Sequence, residues 1–220
     1  MSATFDATVL SLQVAAFSVL LTLPPALLAA TLLFGSRWRF LEWVLLIPLL
    51  LPPTVSGFAI LYLFSPRQPL GALMEGLGIQ IVFSTLGTVS ACAMVSFPLA
   101  FQACIVGLSR VGRDLRESAH LMCGSWTLNT VRVVWPQMRS AILVAGLLVF
   151  ARSLGEFGAS MMVGGNLPGE TQTLPLLVYS FAEVGRYHEG GLAAGVAVVI
   201  GLLLYGSLRW AEGRGQGIPT

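Results

Sequence analysis

A polar, arginine-rich segment between long apolar stretches decides the fold: residues 110–139 read RVGRDLRESAHLMCGSWTLNTVRVVWPQMR. Five of the twelve basic residues lie in this segment, and all twelve are arginine. The apolar stretches on either side of it are long enough to cross a bilayer as helices. A charged, helix-prone segment held at one face of a membrane offers a docking surface. We therefore expect the function of the chain to depend on what binds there.

The composition places the chain among membrane proteins. Of its 220 residues, 55% are hydrophobic and only 10% are charged, and the mean hydropathy is +0.82. A soluble domain carries about 25% charged residues, so most of this surface must face lipid. The net charge of +2 is too small to indicate nucleic-acid binding. Because the chain lacks lysine, it contains no nucleotide-binding P-loop, and we expect it not to be an enzyme.

Five apolar runs predict transmembrane helices, since a run of about 20 such residues spans a bilayer. They cover residues 8–34, 43–64, 81–108, 136–163 and 190–208. A further patch, residues 174–184, is too short to span and should lie at the interface or fold back into the protein. The sequence thus predicts an all-α integral membrane protein with about five spans, in which residues 1–220 form a single domain.

The arginines predict how the spans are oriented. With the N-terminus outside, nine arginines face the cytoplasm, whereas Arg67, Arg152 and Arg186 lie on the outer side or in the outer half of the membrane. Cytoplasmic segments carry the excess of basic residues in membrane proteins. The predicted topology is therefore N-terminus out and C-terminus in, with the 110–139 segment in the cytoplasm.

Two predicted spans contain proline pairs that a simple anchor lacks. Pro24–Pro25 lies in the first span and Pro52–Pro53 in the second. Each proline removes a backbone donor and should kink its helix. Thr54 and Ser56 follow the second pair directly. Such small polar side chains either line a path across the membrane or allow helices to pack closely.

The fourth predicted span contains an intramembrane ion pair. Arg152 and Glu156 are four residues apart, so they face one another on a helix, with Ser153 beside them. At 1.5 Å per residue, Arg152 lies about 24 Å along the helix from Pro136. Ionisable groups at such a depth mark either a transport pathway or an interior pair that stabilises the bundle. These three residues join Pro52, Pro53, Thr54 and Ser56 as candidate pore or gate residues.

No metal or cofactor site is predicted. The three cysteines, Cys92, Cys104 and Cys123, are scattered and lack CxxC spacing. The two histidines, His120 and His188, lie far apart, and no HExxH pattern is present. We expect cysteines and histidines with ordinary packing and surface roles.

The polar segment resembles the EAA loop of the permeases of ABC importers. The family pattern is Glu-Ala-Ala, three residues, Gly, nine residues and Ile-x-Leu-Pro. The chain keeps the spacing, but Ser118 stands in place of the first Ala, Cys123 in place of the Gly and Trp135 in place of the Leu. The residues aligned with the pattern include Glu117, Ser118, Ala119, Cys123, Trp135 and Pro136. Gly124 lies one place after the position of the family glycine. The resemblance implies that residues 117–129, within a coupling loop of about residues 109–136, form a cytoplasmic coupling helix on a separate ATPase subunit.

Other stretches are similar to the molybdate permease branch of that family: residues 45–57, 96–99, 150–159 and 165–175. Together the resemblance covers nearly the whole chain. It implies a pore subunit that works by alternating access in the cytoplasmic (inner) membrane of a prokaryote. The implied cargo is molybdate, with tungstate or sulfate as the alternatives. The implied partners are two ATP-binding subunits, a second permease chain, by default a copy of this one, and an extracytoplasmic oxyanion-binding protein.

Two other classes of protein fit the sequence less well. A secondary transporter would need acidic carriers within its spans, and Glu156 is the only clear candidate. An intramembrane enzyme would need a nucleophile with a base. No predicted span holds a histidine, and only His188 lies near a membrane edge.

Overall fold

The computed structural model describes residues 2–35, 40–112, 115 and 124–215, with the backbone course alone at 2 and 207–215. Over these residues the chain is helical and contains no strand. The helices are α1 Ser2–Leu33, α2 Phe40–Leu50, α3 Pro53–Leu63, α4 Pro69–Gly76, α5 Thr85–Arg110, α6 Trp126–Gln137, α7 Arg139–Leu154, α8 Gly158–Gly164, α9 Leu174–Glu183 and α10 Tyr187–Gly215.

Three of these helices, α1, α5 and α10, are long and apolar enough to cross a membrane unaided. Two further pairs of helices are apolar enough together but are bent, and the number of candidate spans is five if each pair is counted as one. The axes bend by 106° between α2 and α3 and by 74° between α6 and α7. The predicted all-α membrane fold is confirmed, and the 174–184 patch forms the short helix α9.

The second predicted span is two helices, so the expectation of a single kinked helix over residues 43–64 was wrong. Leu50 ends α2, and Pro52 has extended backbone angles, φ −53° and ψ 135°. A proline disfavours helical geometry in the residue before it, and at N1 its missing N–H costs nothing. Pro53 therefore begins a new helix. The pair Pro24–Pro25, by contrast, lies inside the unbroken α1.

The fourth predicted span, residues 136–163, is also divided. Helix α7 begins at Arg139 and ends at Leu154, which gives 16 residues and, at 1.5 Å each, about 24 Å. Glu156 follows in a non-helical break, and α8 begins at Gly158. Since about 20 residues are needed to cross a bilayer, α7 needs a flanking helix to complete the crossing. The break places a charged residue, buried in the bundle, between two helices.

Helix α5 is the central helix of the bundle. It begins with Ser84 as its cap, whose Oγ accepts a hydrogen bond from Gly87 N at 3.1 Å. Of the residues in its apolar stretch, 56% are buried, compared with 28% in α1 and 11% in α10. Phe101 is fully enclosed, and a Cβ on Gly107 would lie only 2.5 Å from Ala141 Cβ of α7. Helices α1, α7 and α8 are therefore positioned by their contacts with α5.

The bundle has two chemically different ends. At one end, Leu174 N donates to Ser11 Oγ at 2.7 Å, and Thr85 Oγ1 donates to Glu170 O at 2.8 Å. The start of α9 thus meets α1, the loop of residues 165–173 meets the start of α5, and we call this the N-terminal end. Arg110, at the last residue of α5, and α6 lie at the opposite end, which we call the linker end.

Candidate pore site at the break between α7 and α8

The structure joins the two groups of candidate pore residues at one place. A Cβ on Gly158 would lie 3.1 Å from Thr54 Cγ2 and 3.3 Å from Pro53 Cβ. A Cβ on Gly57 would lie 2.7 Å from Ala159 Cα. At Gly57 the backbone of α8 approaches so closely that only glycine fits, whereas at Gly158 a methyl group would be a tight contact. We call this junction of residues 53–57 with residues 158–162 the α3–α8 contact.

The predicted ion pair is formed directly before this contact. Arg152 Nη1 lies 2.6 Å from Glu156 Oε2, and the other carboxylate oxygen, Oε1, accepts a hydrogen bond from Ala159 N at 2.8 Å. The side chain of Glu156 is only 2% exposed, whereas that of Arg152 is 31% exposed. The carboxylate is thus fixed to the backbone of α8, and the guanidinium retains access to its surroundings.

Small polar side chains line the buried side of the break. Ser153 Oγ lies 3.3 Å from Ser96 Oγ of α5, and Cys92 Sγ lies 3.4 Å from Ser160 Oγ of α8. Ser153 was a candidate from the sequence, whereas Cys92, Ser96 and Ser160 were not. The available signal was the four-residue spacing of Cys92 and Ser96, which places them on one face of α5.

Ser56 occupies the α3–α8 contact without its own hydrogen bond. Its side chain is fully buried, and Oγ has no partner among the described residues. Buried hydroxyls are nearly always paired, because leaving one unsatisfied costs free energy. Pro52 and Thr54, at the start of the same helix, are exposed.

The loop between α8 and α9 is held by its own hydrogen bonds. Asn166 has a left-handed backbone, φ +58°, and its side chain donates to Ser180 Oγ at 2.9 Å and accepts from Gln172 Nε2 at 3.0 Å. Thr171 Oγ1 donates to Gly164 O at 2.7 Å and accepts from Leu167 N at 2.9 Å. These bonds fix the loop at the N-terminal end.

The predicted coupling residues fall partly outside the described part of the chain. Glu117, Ser118, Ala119 and Cys123 all lie in residues 116–123, which the structure does not describe. Gly124 has a left-handed backbone, φ +62°, as expected if it makes the turn that the family glycine makes. Pro136 is exposed in α6, which contains a π-helical turn at Thr130–Val134. The length of α7 separates this region from the ion pair.

No metal centre is seen among residues 2–35, 40–112 and 124–215. No group of three histidine, cysteine, aspartate or glutamate side chains in that part of the chain could hold an ion. What the break offers is a guanidinium, a fixed carboxylate and several hydroxyls.

A solved structure shares the fold of this chain. A solved structure described as an amino acid ABC transporter with histidines matches the chain with a TM-score of 0.66, over 97% of this chain and 94% of that one. The identity is 18%, so this match concerns the fold. The chain therefore shares its fold with that ABC transporter.

Relatives define the family. The molybdenum transport system permease protein ModB of Escherichia coli (strain K12) is 36% identical over 191 residues, which cover 84% of this chain and 83% of ModB. A protein of Nephroselmis olivacea described as a probable sulfate transport system permease, cysT, is 30% identical over 87% of this chain and 72% of its own length. No family model matches. The chain belongs to the family of molybdenum transport system permeases, whose members are transport components rather than enzymes.

Proposed function

We propose that this chain is the pore subunit of an ATP-driven importer that carries molybdate across the cytoplasmic membrane. The observation that carries the proposal is the 36% identity to a molybdenum transport permease over 84% of the chain. The relationship to a sulfate permease favours a second cargo of the same shape and charge, sulfate. Molybdate and sulfate are both tetrahedral dianions, so the same pore residues can serve both.

The electrostatics of the cargo explain why a motor is required. Moving one charge against 100 mV costs about 2.3 kcal/mol, so a dianion entering a negative-inside cell costs about twice that. A passive pore would let such an anion leave the cell. Because the chain has no lysine and hence no P-loop, ATP hydrolysis falls to a separate subunit.

The linker end is the surface that this proposal assigns to the ATPase. The coupling residues are Glu117, Ser118, Ala119 and Cys123, which lie outside the described residues. Within the 117–129 segment, the left-handed Gly124 and the extended Ser125 precede α6, so the helical part that the structure describes begins at Trp126. Gly124 and Pro136 bound the described part of the loop, and Leu128 of α6 is 43% exposed. In this account the linker end faces the cytoplasm, and the N-terminal end receives the anion from a binding protein.

The complete importer contains two copies of this chain and two ATPase subunits around one pore. The pore or gate residues are those at the α3–α8 contact and the adjoining break. They are Pro52, Pro53, Thr54, Ser56, Arg152, Ser153 and Glu156. Support for this assignment comes from their convergence, since residues about 100 positions apart in sequence meet beside an intramembrane ion pair.

The proposal is tested by uptake into proteoliposomes. The chain is co-purified with its ATPase and reconstituted, with ATP in the lumen and the binding protein and radiolabelled molybdate outside. We expect molybdate to accumulate only when ATP is present, and excess unlabelled sulfate to reveal whether the second cargo shares the pore. A Glu117→Lys variant should lose both ATPase binding and uptake, because the charge at the docking surface is reversed.

Two results would contradict the proposal. One is molybdate accumulation that needs no ATP and is abolished by a protonophore, which would identify a secondary transporter. The other is a chain that neither binds an ATPase subunit nor transports any tetrahedral oxyanion.

A further inference from the structure

We propose that Arg152 contacts the anion during its passage and that Glu156 is a built-in competitor for the same guanidinium. Between transport events the carboxylate neutralises Arg152. When the anion arrives, it displaces the carboxylate, and when it leaves, Glu156 takes the guanidinium back. The inference rests on the proposed function, because it assigns a role to two residues of the proposed pore.

The carboxylate has the properties of a fixed competitor. Glu156 is 2% exposed, and its Oε1 accepts from Ala159 N at 2.8 Å. This bond ties the side chain to the first turn of α8. Ala159 in turn lies against α3, because a Cβ on Gly57 would lie 2.7 Å from Ala159 Cα. Glu156 therefore cannot follow Arg152 if the guanidinium turns towards another partner.

The guanidinium has the properties of the mobile partner. A guanidinium carries five N–H donors, and among the described residues Arg152 pairs with Glu156 through Nη1. The side chain is 31% exposed, so its other donors are accessible. A buried ion pair contributes to stability only where its geometry is good and further hydrogen bonds satisfy its remaining donors. The planar fork of an arginine suits two oxygens of a tetrahedral oxyanion, as it suits phosphate.

The α3–α8 contact contributes a second unsatisfied group. Ser56 Oγ is fully buried and lacks a hydrogen-bond partner in the part of the chain that the structure describes. The region of the break thus contains an under-used guanidinium and a free hydroxyl. The exposed side of the guanidinium can donate to an anion, whereas the Ser56 hydroxyl is enclosed.

Competition between Glu156 and the anion for Arg152 explains how a pore can contain an arginine and still release the anion. An unpaired arginine within a membrane is costly and would hold a dianion strongly. The nearby carboxylate removes both problems, since it neutralises the empty site and opposes the bound state. The affinity of the pore for the anion stays low, and release is fast.

The test is Glu156→Gln, which keeps the shape and the acceptor for Ala159 N but removes the charge. The matched control is Glu189→Gln, which breaks the exposed Arg186–Glu189 pair of 2.9 Å. Radiolabelled molybdate is bound at equilibrium to the permease–ATPase complex without binding protein or ATP. Hydrogen bonds to charged groups are worth about 1.5–3 kcal/mol, so E156Q should bind molybdate at least about tenfold more tightly. E189Q should bind it as the wild type does.

Three further variants and readouts make the outcome decisive. The double variant Arg152→Gln with Glu156→Gln should lose the gain, because the guanidinium is the group released. ATP-dependent uptake by E156Q should show a lower maximal rate, because release slows. If E156Q does not assemble, Glu156→Asp, which keeps the charge but is one methylene shorter, should give a smaller gain in affinity.

Binding by assembled E156Q that is no tighter than wild type would overturn the inference, as would a gain that persists in the double variant. The inference also fails if E156D, used in place of E156Q, binds molybdate no more tightly than the wild type. These results leave the proposed function intact if the wild-type complex still accumulates molybdate with ATP. Failure of the wild type to transport any oxyanion would instead remove the proposed function itself.

Discussion

The α3–α8 contact predicts a specific cost for adding one methyl group. In Gly57→Ala the new Cβ would lie 2.7 Å from Ala159 Cα, 2.9 Å from Ala159 O and 3.0 Å from Met162 Cβ. Two of these three atoms are backbone, so no side chain can turn away to make room for the methyl group. Overpacking of this kind costs about 1–3 kcal/mol. The gain in helix propensity from glycine to alanine, about 1 kcal/mol, opposes it.

A matched control separates the two effects. Gly201 lies inside α10, and a Cβ there meets no atom within 4 Å, so Gly201→Ala has the propensity gain without the clash. The difference between the two variants should therefore be about 1–3 kcal/mol, with Gly57→Ala the less stable. At about 2–4 °C per kcal/mol for a chain of this size, the two melting temperatures should differ by roughly 2–12 °C.

The assay is thermal unfolding of the detergent-purified permease–ATPase complex, followed by the loss of monodisperse protein on gel filtration. Uptake of molybdate by the two variants in proteoliposomes provides a second readout, because Gly57 adjoins the proposed pore residues. Equal melting temperatures for Gly57→Ala and Gly201→Ala would refute the close approach of α3 and α8.

Substitutions at three other sites test the local structure, two of them with a matched control. Ser84→Ala should destabilise the complex by about 1 kcal/mol, because Gly87 N loses its capping acceptor; an unchanged melting temperature would contradict the cap. Asn166→Ala should be less stable than Asn166→Gly by about 1 kcal/mol, since both lose the side-chain bonds but only alanine resists φ +58°. Thr171→Val should cost about 1–3 kcal/mol in thermal unfolding, because a buried carbonyl and an N–H lose their partner. Thr85→Val, which removes a more exposed bond to Glu170 O, serves as its control and should cost less.

The long uninterrupted helices could be predicted from the sequence, because continuous apolar runs leave few alternatives in a membrane. Helices α1, α5 and α10 cover the predicted first, third and fifth spans with ends moved by several residues. The ion pair between Arg152 and Glu156 was also predictable, because it depends only on four-residue spacing. It is retained although α7 ends between the two residues, since Ala159 N anchors the carboxylate.

The breaks in the helices could not be predicted, because identical local signals have different outcomes. Pro24–Pro25 and Pro52–Pro53 are the same dipeptide, yet only the second pair ends a helix. The two pairs differ in their surroundings, since α3 packs against α8 through Gly57, whereas α1 packs along α5 and α7. The meeting of residues 53–57 with residues 158–162 has no counterpart in sequence spacing. Only the small residues on both sides hinted at it.

The central claim is that the linker end faces the ATPase in the cytoplasm, and labelling with a membrane-impermeant maleimide tests it most directly. Leu128→Cys at the linker end and Glu170→Cys at the N-terminal end are introduced separately, each with Cys123→Ser. Cys92 and Cys104 are buried and serve as silent background. We expect Glu170→Cys to be labelled in intact cells and Leu128→Cys only in inside-out vesicles. Labelling of Leu128→Cys in intact cells would contradict the account.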